Sequence, residues 1–223
     1  MSFQKISGLA AIAAGATYII GFWVYFSILG PAQYGSPAVP AANHVSFLAD
    51  NQALMTLWNQ VIYVLNAVLM VFIVIGLHRR LTGSGAIAQT ASAFGLIWAG
   101  LILATGMLEN IAIGQIVRLA EVDMDSAVAL WRSTTVVSAG LGGGNEITGG
   151  MWIFALSLAG FQTRALPLAV NALGFLVGGA GIISTIPALS AATMVFGLGF
   201  IVWFIVAGLA LILLKSPRQA QEA

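Results

Sequence analysis

The sequence predicts an all-α, polytopic membrane protein: one domain over residues 1–223, built as a bundle of six transmembrane helices. Composition, the spacing of the charges and the side on which basic residues gather all predict it. Of the 223 residues, 60% are hydrophobic and 7% are charged. A soluble domain carries roughly 25% charged residues, so this surface needs lipid, and the bilayer is the first expected partner. The net charge of +1 lacks the basic footprint of a nucleic-acid binder. The absence of cysteine excludes disulfides, thiolate-held clusters and thiol nucleophiles.

Charges punctuate the chain. None stands between Lys5 and Asp50, between Asp50 and Arg79, from Leu81 to Leu108, or from Ala165 to Leu214. A span needs about 20 apolar residues, and the spans follow in order. The first, 7–29, is stopped by Gly30, Pro31, Pro37 and Pro40. It follows Lys5 as a signal peptide would, but its apolar run is too long for one, so it is read as retained. Residues 43–53 suit a short interfacial helix with Asn43 as N-cap. The second span, 54–77, ends at the basic run His78-Arg79-Arg80. The third and fourth, 87–112 and 134–161, are expected to continue as an extended hairpin. The fourth helix then starts near Asp125-Ser126, where the helix dipole favours carboxylates. Pro187 ends the fifth, 166–186, and the sixth is 195–214.

Lys and Arg collect on the cytoplasmic side of membrane proteins. With the N-terminus inside, Lys5, Arg79, Arg80, Arg164, Lys215 and Arg218 all fall in the cytoplasm. Only Arg118 and Arg132 remain outside, beside Glu121, Asp123 and Asp125. Both termini are thus expected in the cytoplasm. A weak repeat accompanies this order: Gly95-Leu-Ile-Trp-Ala-Gly100 against Gly174-Phe-Leu-Val-Gly-Gly179, and Asn59-Gln60 against Asn145-Glu146 at similar distances from the basic ends. Tandem helical hairpins and chance both fit it.

The stretch Ala41-Ala42-Asn43-His44-Val45-Ser46-Phe47-Leu48-Ala49-Asp50-Asn51-Gln52-Ala53-Leu54 carries a resemblance, with Leu77-His78-Arg79-Arg80-Leu81, Arg164, Leu166-Pro167 through Leu173-Gly174, and Trp203 to Leu214. Together they resemble an uncharacterised bacterial family of six-helix integral membrane proteins, known only as a domain of unknown function. In that family an aromatic residue and an arginine usually follow the Ala-Leu pair, where this chain has Met55-Thr56. The resemblance implies the six-helix fold and a bacterial inner-membrane location, and carries no activity with it.

Ionisable residues inside a span are costly, about 2.5–3.5 kcal/mol on insertion scales, so they mark candidate sites. Glu146 follows Gly142-Gly143-Gly144-Asn145 and precedes Gly149-Gly150. Those glycines allow close helix approach and a local break that frees backbone groups. Glu109 lies near the outer end of the third span. In the second span, Asn59, Tyr63 and Asn66 share one helical face, next to Gln60. A candidate polar pocket therefore comprises Glu146, Asn145, Glu109, Asn59, Gln60 and Asn66, with His44, Arg118 and Arg132 reaching over it from outside. The functional reading is an outward-facing site for a small solute, ion, proton or lipid, for binding or transport. The plainer reading is that these groups lock helix packing in a non-catalytic membrane subunit or assembly factor, alone, as a homo-oligomer or with other subunits. An intramembrane enzyme is the least favoured class, because Glu109 and Glu146 are the only acid pair in view and no catalytic motif appears. His78 and His44 fall at opposite ends of a span, so neither haem nor a transition metal is expected, and no cofactor is.

Overall fold

A computed structural model describes residues 1–143 and 146–214. Asn145, Lys215 and Arg218 lie outside the described residues. The described residues fold as helices joined by turns and short loops. Helix α1 is Phe3–Leu29, α2 Ala41–Asp50, α3 Gln52–Arg80, α4 Ala86–Ala120 and α5 Met124–Ser138. Helix α6 is Ile147–Thr163, α7 Leu168–Ile183 and α8 Ala192–Leu213. Four of them, α1, α3, α4 and α8, are long and apolar enough to cross a membrane. Their outward faces are apolar too: Ile19, Trp23 and Phe26 on α1 and Val195, Leu198 and Val202 on α8 are exposed. A continuous apolar surface of that kind suits hydrocarbon and not water.

Six of the helices close a ring, in the order α1, α3, α4, α6, α7, α8 and back to α1. Glycine makes two of the seams. A Cβ on Gly8 would stand 2.8 Å from the Gly208 carbonyl oxygen, and one on Gly208 would stand 2.7 Å from that of Gly8. Between α6 and α7, a Cβ on Gly150 would stand 2.8 Å from the Ile182 amide nitrogen. Backbone meets backbone at both seams, the usual way apolar helices associate without a hydrophobic drive between them. The middle of the ring is filled with rings. Trp152 stacks on Phe200 at 6.0 Å and Trp98 packs against Trp152 at 5.6 Å. The buried Trp203 indole donates to the Val170 carbonyl at 3.1 Å.

One end of the bundle is basic and brings together the start of α1 and the end of α8. Gln4 Nε2 donates to the carbonyls of Leu211 (2.7 Å) and Leu214 (2.8 Å), which ties the start of α1 to the end of α8. Arg80 donates to the Ala165 carbonyl at 2.8 Å and to Gln4 Oε1 at 3.2 Å, and the Arg79 guanidinium lies 4.7 Å from the centre of the Phe3 ring.

At the far end the 35-residue α4 outruns the ring, and α5 turns back along it. The sequence placed the fourth span over 134–161, with a local break at its glycines. The chain runs from α5 through a π-helical turn, Ala139–Gly143, and starts α6 only at Ile147. Helix α5 begins one residue before the expected Asp125, and its cap is Asp123, whose Oδ1 accepts from the amides of Asp125 (3.1 Å) and Ser126 (3.2 Å). The Ser126 hydroxyl and amide hold the Asp123 carboxyl below the usual carboxylate range. Helix α2 likewise starts earlier than expected, behind Pro40, so Asn43 sits in its first turn and is not its cap.

A second apolar core, with Leu29, Val45, Leu48, Met55, Ile113 and Ile116, joins these far-end elements. The proline-rich loop is pinned to it. His44 is buried against Trp131 at 4.7 Å, its Nδ1 accepts from the Gly35 amide at 3.4 Å, and Trp131 Nε1 donates to the Tyr34 hydroxyl at 3.1 Å. Burial pushes the Tyr34 hydroxyl up to about 12, so it stays protonated at neutral pH.

Candidate functional site

A cavity of about 500 Å³ lies between the two cores, where α1, α3, α4, the start of α6 and the start of α8 meet. Its depth follows from the helical rise. Thr17 is about 20 Å along α1 from Gln4, Asn66 about 21 Å along α3 from Arg80, and Ile102 about 24 Å along α4 from Ala86. Glu146 stands about 26 Å from Thr163 by the same measure. The floor is aromatic: Trp98 and Phe196 line it and belong to the central core. Its mouth lies between the end of α1, at Phe22 and Tyr25, and the exposed start of α8, at Ser190 to Met194.

Three π-helical turns sit at this level: Tyr25–Leu29 in α1, Gln60–Leu65 in α3 and Ala139–Gly143 after α5. Such turns loosen the backbone ladder and recur at functional sites. Here one carries Tyr63 into the wall, and another ends just before Glu146.

Glu146 has non-helical backbone angles (φ −95°, ψ 20°) as the residue before α6. Its carboxylate lines the cavity. Among the described residues no hydrogen bond and no ion pair reaches it. Arg132, expected to reach over the pocket from outside, lies instead beside the loop 35–41 and His44. Asn66, 1% exposed, donates through Nδ2 to Thr17 Oγ1 at 2.7 Å, and that hydroxyl donates to the Ala14 carbonyl at 2.8 Å. This leaves Asn66 Oδ1 unpaired. The indole nitrogens of Trp58 and Trp98 are unpaired as well, and both residues line the same cavity. Buried polar atoms nearly always find partners; unpaired ones also stand at Asn110, Trp152, Ser157 and Asn171, away from this cavity, so it is the unpartnered carboxyl group of Glu146 that singles the cavity out.

Of the described residues singled out from the sequence, the structure brings Glu146, Asn66 and Tyr63 to the cavity and leaves Asn59, Gln60 and Glu109 out of its wall. Gln60 is exposed and lines a shallow surface groove with Asp50, Gln52 and Thr56. Asn59 is buried but is not part of the cavity wall. The level match between Glu146 and Asn59-Gln60 is therefore corrected: α3 meets the cavity through Trp58, Ile62, Tyr63 and Asn66. The π turn from Gln60 breaks the 3.6-residue period on which the shared face was drawn. Glu109 is seven residues beyond Ile102, about 10 Å further out, where the Ser138 hydroxyl donates to its Oε1 at 2.5 Å and fastens α5 to α4. Tyr63 stands between the two carboxylates, within electrostatic reach of both. His44, Arg118 and Arg132 do not line the cavity.

Sequence reasoning missed Thr17, Tyr18, Trp58 and Trp98. A threonine and a tyrosine side by side in an alanine-rich apolar helix were the available signal for the first two; the tryptophans carried none. Among the described residues no group of three or more His, Asp or Glu side chains gathers as a metal site would. No family model matches the chain, and no curated protein or solved structure is detectably similar to it. The geometry alone therefore defines the class: among the described residues, an all-α protein with four helices long and apolar enough to cross a membrane and a largely apolar cavity that Glu146 lines.

Proposed function

We propose that the chain is a six-crossing inner-membrane protein of the uncharacterised bacterial type it resembles, with both termini in the cytoplasm, and that it binds a small organic solute in an outward-opening pocket around Glu146. The observation that carries the binding reading is Glu146 on the wall of a largely apolar, aromatic-lined cavity, its carboxyl group without a hydrogen bond or ion pair among the described residues. A cavity of about 500 Å³ fits a small molecule, for which pockets of about 300–1,000 Å³ are usual, and greatly exceeds a bare ion. The six-crossing reading is supported by the closed ring, in which α6 and α7, with 17 and 16 residues, pack alongside the longer helices. Their lengths stand at the lower limit for a span, about 17 residues. The orientation is supported by Lys5, Arg79, Arg80 and Arg164, which share the end where α1 starts and α8 stops.

The lack of native cysteine makes the test direct. In intact cells a membrane-impermeant maleimide should label Ser190→Cys and spare Gly83→Cys until the membrane is opened. Native mass spectrometry of the purified wild type should show a retained small-molecule mass that Glu146→Leu lacks. Labelling in the reverse order would overturn the orientation, and an identical retained mass in both proteins would overturn the assignment of the site to Glu146.

A further inference from the structure

We infer that the solute is a lipophilic organic cation, an ammonium whose charge meets Glu146 and whose apolar part lies against the aromatic wall; this rests on the binding reading above. Charge comes first. The cavity wall holds one carboxylate and, among the described residues, no lysine, arginine or histidine. An anion would find no positive charge there, whereas a cation would pair with Glu146 and hold it ionised. The wall comes second. Tyr18, Phe22, Tyr25, Trp58, Tyr63 and Trp98 all contribute to it. Ring faces attract a cation, most of all an alkylated ammonium that has little hydration to lose. A carboxylate ringed by aromatic faces therefore matches a cation that is apolar outside its charge.

A phospholipid headgroup offers the same ammonium chemistry, but its phosphate would meet no basic side chain among the described wall residues. The mouth suits a free cation of this kind. Tyr25, which is 45% exposed, and Met194, which is 43% exposed, leave an apolar approach to it.

Isosteres separate charge from shape. Phenyltrimethylammonium and tert-butylbenzene have nearly the same shape and differ by one positive charge; benzenesulfonate reverses the sign. Binding is read from the fluorescence of the cavity tryptophans on the full chain in maltoside detergent. The wild type should prefer phenyltrimethylammonium over tert-butylbenzene by about tenfold or more, the size of a desolvated cation–π and carboxylate interaction, and should not bind benzenesulfonate. Glu146→Gln should erase the preference, while Glu109→Gln, which alters a residue outside the cavity, should keep it. Equal binding of cation and neutral isostere would overturn the cation inference and leave the binding pocket standing, even if Glu146→Gln fails to fold. Binding of none of the three would remove the pocket reading and this inference with it. Displacement of phenyltrimethylammonium by glycerophosphocholine would overturn the free cation in favour of a lipid headgroup.

Discussion

Gly150→Val is expected to yield no stably folded protein. A Cβ at Gly150 would lie 2.8 Å from the Ile182 amide nitrogen and 3.0 Å from the Gly178 carbonyl oxygen. Both are backbone atoms of α7, so no rotamer change relieves the clash, and the helices must separate. A Cβ on Gly178 would meet the Phe154 amide nitrogen at 2.8 Å in the same way. Separation would also pull Trp152 away from Phe200, because α6 carries one ring and α8 the other. The cost should reach at least about 3 kcal/mol, the upper part of the overpacking range, and a branched side chain adds to it. The control is Gly179→Ala, one residue from Gly178, where nothing lies within 4 Å of the added carbon. There alanine should be neutral or gain about 0.5–1 kcal/mol of helix preference. Size-exclusion profiles and thermal midpoints in detergent check the pair. A Gly150→Val protein that elutes and melts like the wild type would contradict the α6–α7 seam.

Glu146→Leu is expected to raise stability while abolishing ligand retention. If the polar groups only locked helix packing, the plainer of the two readings of the sequence, the same change would destabilise the bundle. The structure reverses the sign, because among the described residues Glu146 has no hydrogen-bond partner to strand. What leucine removes is a carboxylate held among apolar and aromatic side chains. The gain should be about 1–2 kcal/mol, below the 2.5–3.5 kcal/mol of full membrane insertion, because an open cavity leaves part of the carboxylate hydrated. A residue that costs stability where it stands is what a binding site requires. Thermal midpoints of the two proteins without added ligand check it, and a lower midpoint for Glu146→Leu would mean that the carboxylate holds the fold together.

Much of the fold was legible because it is written in coarse variables. Charge gaps located the apolar helices, the prolines after Leu29 ended α1, and the acidic run after Glu121 marked the turn into α5. Gly142 to Gly144 announced a break, and α6 starts just beyond it. The details that failed depend on local backbone geometry with no strong residue signature. The Gln60–Leu65 π turn contains ordinary helix residues, yet it decides that Asn66 and not Gln60 joins the cavity. Asp123 caps α5 in place of the expected Asp125, since either carboxylate suits a helix start. The candidate site was half legible for a related reason. Glu146 and Asn66 stand out as polar residues in apolar helices, whereas Tyr18, Trp58 and Trp98 look like any other buried aromatic side chain. Only the packing of α1, α3 and α4 gathers them on one wall.

Glu146→Cys tests the central claim most directly, because no native cysteine competes with it. In intact cells, the membrane-impermeant, positively charged thiosulfonate that adds a trimethylammonium-ethyl group should modify it from the outside. The modification should slow when phenyltrimethylammonium is present. Modification only after the membrane is opened, or none even in detergent, would contradict an outward-opening pocket built around Glu146.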